Sequence, residues 1–264
     1  MSTTIKFKKT TQQGTKPVTA QNPIGFGYSK ITQHAWVEGV NTFRFLPQRE
    51  DSVWGNYVEF YEYNVFSSKA KAKFALLDEQ RTMLKQAFFA LRQSEFAGNL
   101  FNKTTNTHGW QLNPRPKVGF IAIDLTEGVK TEVVSVILPG TSDYTKDGAA
   151  PIKGAGTSII DLCFKKNFKG EPMHGDIFDP SEGGLVAVNV TNAGDMKVKY
   201  EPVYDSPMPV EDPVIINSIK PFDQVFSFAT TAELKAFLKS YIGDEAFAVI
   251  DNPVVFGFET AEPF

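Results

Sequence analysis

The stretch GGLVAVNVTNAGDMKVKYEPVY, residues 183–204, constrains the fold more than any other part of the sequence. Val186, Val188 and Val190 recur at every second position, Asn192-Ala193-Gly194-Asp195 interrupts the run, and Lys197 and Lys199 alternate after it. A period of two sends successive side chains to opposite faces, so this segment predicts two antiparallel strands joined by a turn. GYSKITQHAWVEGVNTFRFLP predicts an earlier hairpin that turns at Glu38-Gly39 and stops at Pro47. SVWGNYVEFYEYNVF, KVGFIAIDL and TEVVSVIL each read as one further strand. In the first of these, Tyr57, Glu59, Tyr61 and Tyr63 share one parity, while Val58, Phe60 and Glu62 share the other.

Helical spacing enters between these strands. KAKAKFALLDEQRTMLKQAFFALRQSEF sets Phe74, Leu77, Leu84, Phe88 and Leu91 at intervals near 3.6, with Gly98 as a stop, and predicts one long amphipathic helix. GTSIIDLCFKKNF predicts a short helix with Ser or Thr at its start. Thr230-Thr231-Ala232-Glu233 is a capping box that opens a helix through Leu234, Phe237, Leu238 and Tyr241. The expected fold class is mainly β with added helices (α+β), a small antiparallel barrel with a long helical insertion near 69–108. The organisation expected is a flexible basic arm over 1–23, a core over 24–243 and an acidic tail over 244–264.

Charge is divided unevenly along the chain. The first acid is Glu38 and the last base is Lys239; beyond it lie Asp244, Glu245, Asp251, Glu259 and Glu262. Setting those five aside leaves 27 bases against 25 acids, a body charge of +2 that the net charge of -3 conceals. Such asymmetry suits a basic groove for a polyanion and an acidic tail for a partner; two solvated termini are the alternative. The single cysteine, Cys163, excludes an internal disulfide framework and a multi-Cys zinc site, and a reducing cytoplasm is the natural setting. No run approaches the roughly eighteen apolar residues of a membrane span, and a soluble, unexported chain is expected.

Walker-type loops, GxGxxG, GxSxG and HExxH are absent, so no enzyme, catalytic residue, cofactor or metal is expected. His34, His108 and His174 lack ligand-like spacing. HGDIFDPSEGG reads as a Gly- and Pro-rich turn with Asx capping; Asp176, Asp179 and Glu182 holding magnesium in a nuclease is the alternative.

What the chain does offer is cations interleaved with rings, the pairing that single-strand binding requires: charge for phosphates and flat faces for unpaired bases. One group is Arg44 between Phe43 and Phe45, then Trp54, Tyr57, Tyr61 and Tyr63, then Lys69, Lys71 and Lys73. A second is Trp110, Arg115, Lys117 and Phe120; a third Phe164, Lys165, Lys166, Phe168 and Lys169; a fourth Lys197, Lys199, Tyr200 and Tyr204. Phe43, Phe45, Phe60 and Phe120 are expected in the core, whereas the tyrosines that share a strand face with Glu59, and Trp54, are better candidates for stacking. In the tail, Glu259, Glu262, Pro263 and Phe264 combine charge with a terminal ring, as a docking peptide would.

GVNTFRFLP, EFYEYNVF, RPKVGFIAIDL, HGDIFDPSEGG and MKVKYEPVY follow in an order that resembles the single-stranded DNA-binding proteins of tailed bacteriophages, of the T-even helix-destabilising type, over roughly residues 24–240. The ending ETAEPF is similar to the acidic Pro-Phe tip of bacterial single-stranded DNA-binding proteins. The resemblance implies an OB-fold core, an N-terminal arm for cooperative self-association, and a tail that recruits replication, recombination or transcription proteins. It also implies that the chain coats and protects single-stranded DNA in phage replication, recombination and repair, in an infected bacterial host. Arg115, Lys117 and Phe120 match the family's basic-aromatic lead-in to a core strand, and Tyr200 and Tyr204 its later aromatic hairpin. The T-even zinc module does not carry over, since only Cys163 is present. A phage structural or assembly protein with aromatic subunit interfaces is the other reading.

Overall fold

The alternating apolar positions take up strands in a computed structural model that describes residues 28–50, 52–66, 71–98, 114–142, 151–194, 198–210 and 212–251. In chain order the strands are β1 (Gly39–Phe45), β2 (Val58–Phe66), β3 (Lys71–Leu76), β4 (Arg115–Asp124), β5 (Glu132–Pro139), β6 (Gly184–Thr191) and β7 (Lys199–Pro207). The helices are α1 (Asp78–Arg92), α2 (Ala155–Leu162), α3 (Pro213–Ser218), α4 (Phe222–Val225), α5 (Thr231–Ile242) and α6 (Asp244–Ile250). The fold is α+β, and its antiparallel sheet of seven strands stays open where a closed barrel was expected. β7 ends the sheet, and Pro202 and Pro207 suit an edge because neither has an N–H to give a further strand. None of the helices described is long and apolar enough to cross a membrane.

The described residues divide into two compact units, the first drawn from 29–59 and 116–226, the second from 28, 60–115 and 227–251. In the first, β4 takes β5 along one edge from Lys117 to Asp124 and β1 along the other over Ala122–Asp124. β1 pairs in turn with β6, and β6 with β7. The inward side chains of these strands and of α2 form one core, with Phe43, Phe45, Phe120, Ile159, Phe178, Val186 and Val188 sealed from solvent.

The expected hairpin over 27–47 forms only in its second half. Residues before β1 make single bridges, Ser29 to Phe226 and Gln33 to Ser135, because a buried polar network fixes them instead. His34 Nδ1 meets Asp124 Oδ2 at 2.5 Å and its Nε2 meets Asn41 Oδ1 at 2.9 Å, while Asn41 donates to the carbonyls of Val37 and Gly39. Glu38 accepts from the N–H groups of Asn192 and Ala193 in the β6–β7 turn. At α2 the expected Ser or Thr cap is Gly154: a Cβ there would lie 2.2 Å from the carbonyl oxygens of Pro139 and Gly140, so close backbone approach outweighs side-chain capping.

In the second unit β2 and β3 pair antiparallel, Tyr63 opposite Phe74, and α1, α5 and α6 supply the rest of the core. Lys71–Leu76 is a strand, not the start of the long helix. The period there is two, since Phe74 and Leu76 face the core while Lys73 stays half-exposed. Thr230 and Glu233 form both bonds of the capping box. The chain after Gly243, expected as tail, first makes α6, which buries Ala246, Phe247 and Ile250 among α1 and α5 side chains. The arm over 1–23 and residues 252–264 lie outside the described residues.

One buried cation organises the first unit. Arg44 on β1 is sealed from solvent, and its guanidinium donates to the main-chain carbonyls of Met208, Phe45, Ile177 and Asp179. Burial lowers its pKa to about 10, so it remains a cation at neutral pH. A Cβ on Gly183 would lie 2.7 Å from the Arg44 guanidinium and 2.5 Å from the carbonyl oxygens of Ile177 and Asp179, so only glycine fits beside it. Arg44→Met should cost about 3–5 kcal/mol, because it orphans several buried carbonyls at once. Urea unfolding would show this as a lower midpoint with unchanged slope, and Gly183→Ala should move the midpoint the same way.

Candidate nucleic-acid interface

Arg44, placed in the core as above, is not available to phosphate. Trp54 is 1% exposed and packs edge-on to Phe222 at 6.2 Å. Tyr57 is buried beside Phe120, and burial, with the charge of Glu59, pushes its pKa up to about 12. Tyr63 is fully buried between Phe74 and Phe237, which raises its pKa well above the ordinary value. Phe120 lies in the first core, as do Phe43 and Phe45; Phe60 is buried too. The burial of these four phenylalanines is the one expected; of the corrected residues, Arg44 and Tyr63 lie on β1 and β2, where positions of both parities are buried, and Trp54 and Tyr57 lie in the segment before β2.

Tyr61 is half-buried under the Arg81 guanidinium, 4.2 Å from its centroid. Lys73 pairs with Glu62 at 3.1 Å and lies over the Tyr28 ring. Lys71 lies on β3; Arg115 is exposed and Lys117 half-buried on β4. Lys69, Trp110, Lys197, Glu259, Glu262, Pro263 and Phe264 lie outside the described residues.

The third and fourth groups meet. After α2 the chain makes a short finger, residues 165–174. Met173 N–H donates to the Lys165 carbonyl, and Asn167 and Glu171 close the tip. Asn167 locks that tip: its Oδ1 accepts from the N–H groups of Lys169 and Glu171, and its Nδ2 donates to Glu171 Oε2. Held there, Phe168 is 93% exposed, with the Lys169 ammonium 5.6 Å from its centroid and Met173 also exposed. Lys165 and Lys166 stand exposed at the base.

The finger returns to His174, whose ring stacks on Tyr204 of β7 at 4.3 Å and 19°. Tyr200, four positions earlier on the same face, packs edge-on to Trp36 at 5.0 Å. Both tyrosines are half-buried against the core; Lys199 is exposed on the opposite face of β7 and does not join them. Partial burial, then the nearby Lys165 ammonium, push His174 below the ordinary imidazole range, so at neutral pH it stacks as a neutral ring.

Chain spacing announced neither His174 nor the exposure of Phe168; the only signal was the repeated Phe-Lys pattern of 164–169. The Asx turn was readable. Asp176 accepts from Phe178 N–H, and Asp179 from Ser181 and Glu182. Burial raises the Asp179 pKa, but those bonds and Arg44 outweigh it and hold the carboxyl below its usual range. Among the described residues no three His, Cys, Asp or Glu side chains gather as metal ligands. No protein-family model and no curated protein matches the chain.

Core and interface rings should separate by stability. Phe120→Ala should cost about 3–5 kcal/mol, whereas Phe168→Ala should change unfolding by less than about 0.5 kcal/mol, both read from denaturant midpoints.

Proposed function

We propose that this protein binds single-stranded DNA, coating and protecting it in phage replication, recombination and repair, and that the finger with the His174–Tyr204 pair is its stacking surface. The observation that carries the reading is the meeting of two basic-aromatic groups, distant in sequence, around one stacked ring pair. Phe168, 93% exposed on a tip locked by Asn167, adds a preorganised ring. Lys165, Lys166 and Lys169 supply phosphate contacts, while Phe168 and Tyr204 supply base stacking. Stacking contributes about 1–3 kcal/mol per base, so local rings outweigh the small body charge of +2. An OB-type core, an N-terminal arm for cooperative binding, a C-terminal tail for protein partners and a bacterial cytoplasmic setting complete the proposal, on the strength of the sequence resemblance.

The exposure of Phe168 beside Met173 also suits an apolar anchor in a subunit interface. Light scattering separates the two: a defined oligomer that Phe168→Ala dissociates, with no response to oligonucleotides, would favour assembly.

Titrating oligo-dT at two salt concentrations should give salt-weakened binding. Phe168→Ala and Tyr204→Ala should each weaken it by about 1–3 kcal/mol at either salt, whereas replacing Lys165, Lys166 and Lys169 with Ala should flatten the salt dependence. Unchanged affinity in all these variants would sink the surface assigned.

A bound polyanion favours imidazolium, so DNA should raise the depressed His174 pKa and take up a proton on binding. Affinity should therefore rise as pH falls through the His174 pKa, below about 6.5. A His174→Phe variant, which keeps the ring, should lose that pH dependence; a pH-independent wild type would contradict it.

A further inference from the structure

Residues 48–49, 52–54, 217–221 and 223–224 of the first unit line a cleft of about 650 Å³, separate from the finger and the His174–Tyr204 pair and of a size that holds a small molecule. Its wall is internally bonded. Gln48 N–H donates to Asn56 Oδ1 at 2.8 Å, Gln48 Nε2 donates to the Lys220 carbonyl at 3.2 Å, and the Ser52 hydroxyl donates to Gln48 Oε1 at 3.3 Å. Trp54 N–H donates to Ser52 Oγ at 3.1 Å, which fixes the loop that carries the indole.

Besides neutral polar and apolar side chains, the lining carries charges of both signs. Arg49 and Lys220 are exposed cations from the two facing segments. Among the described residues Asp223 is the acid of the lining, and its Oδ1 is screened from solvent with no donor to meet it. A screened carboxylate oxygen without a donor is costly, and the four-residue helix α4 that carries Asp223 is too short for its terminus to account for the group. Cations beside an acceptor that needs N–H donors call for a ligand that is anionic at one end and donor-rich at the other. Rotation about the Asp223 side chain would turn the oxygen toward such a ligand.

We propose that this cleft binds a guanine nucleotide unit, its phosphate on Arg49 and Lys220 and its base edge on Asp223. Guanine carries a ring N–H next to an exocyclic amine, a pair of donors spaced for the two oxygens of one carboxylate. Adenine has an amine beside an acceptor nitrogen and makes one such bond; inorganic phosphate makes none. The unit can come from a free nucleotide or from a guanine in a single strand.

Calorimetric titration of the full chain with GMP, AMP and inorganic phosphate tests this. GMP should bind about tenfold more tightly than AMP, and phosphate more weakly than either. Asp223→Asn should bring GMP down to the AMP level, and Lys220→Ala, at an exposed position, should weaken both nucleotides alike. Thermal melting of each variant checks that it is folded. If Asp223→Asn does not fold, the loss of GMP affinity in Lys220→Ala together with the GMP preference of the wild type carries the test. An oligo-dT with one internal dG that binds more tightly than plain oligo-dT, with the gain lost in Asp223→Asn, assigns the site to the strand; equal binding with GMP still bound assigns it to free nucleotide. No GMP binding at millimolar concentration, equal affinity for GMP, AMP and phosphate, or an undiminished GMP preference in folded Asp223→Asn would overturn the proposal. The titrations with GMP, AMP and phosphate do not depend on the finger, so its failure and this one are separable.

Discussion

The buried guanidinium of Arg44 is the interaction on which the first unit depends. It stands on β1 and donates to carbonyls in three other places: Phe45 beside it, Ile177 and Asp179 in the turn after the finger, and Met208 just beyond β7. His174 precedes that turn by a few residues, and Tyr204 precedes Met208 by a few. One cation thus pins both chain segments whose rings stack on each other at 4.3 Å. Taking a guanidinium out of water is costly, and the carbonyls it satisfies must repay that cost. Gly183, which leaves room for the guanidinium and the two turn carbonyls, is part of the same device.

The proposed interface follows from this anchoring. A ring on a loose loop would lose rotational and backbone freedom on each binding event, whereas Phe168 sits on a tip already fixed by Asn167, and His174 on a turn fixed by Asp176, Asp179 and Arg44. The cations surround these rings and do not lie under them. Partial burial, and after it the charge of Lys165, depress the basicity of His174, which keeps that ring neutral and stackable at neutral pH.

Period-two patterns were legible where only one face of a strand is covered. The β6–β7 hairpin could be read in that way, β4 and β5, buried at successive positions on both faces, from short apolar runs, and α5 from Thr230 and Glu233. KAKFAL was misread because its six residues adjoin a true helix, and a short run of two-residue period is easily absorbed into a longer helical one. The sequence after Gly243 looked like tail because acids dominate it, yet Phe247 and Ile250 are enough to bury α6. Of the residues assigned to DNA from sequence, Arg44, Trp54, Tyr57, Tyr63 and Phe120 are core, because local chemistry does not say which face of an element its neighbours will cover. Conversely, His174 and Tyr204 meet through tertiary structure alone, which no spacing rule could anticipate.

Amide hydrogen exchange on the full chain, with and without a saturating single-stranded oligonucleotide, tests the central claim most directly. Added protection should concentrate at residues 165–174 and around Tyr200–Tyr204, while core amides of β4 and β5 stay unchanged because they are already protected. Saturated binding with protection elsewhere and none at the finger or β7 would contradict the assignment of this surface.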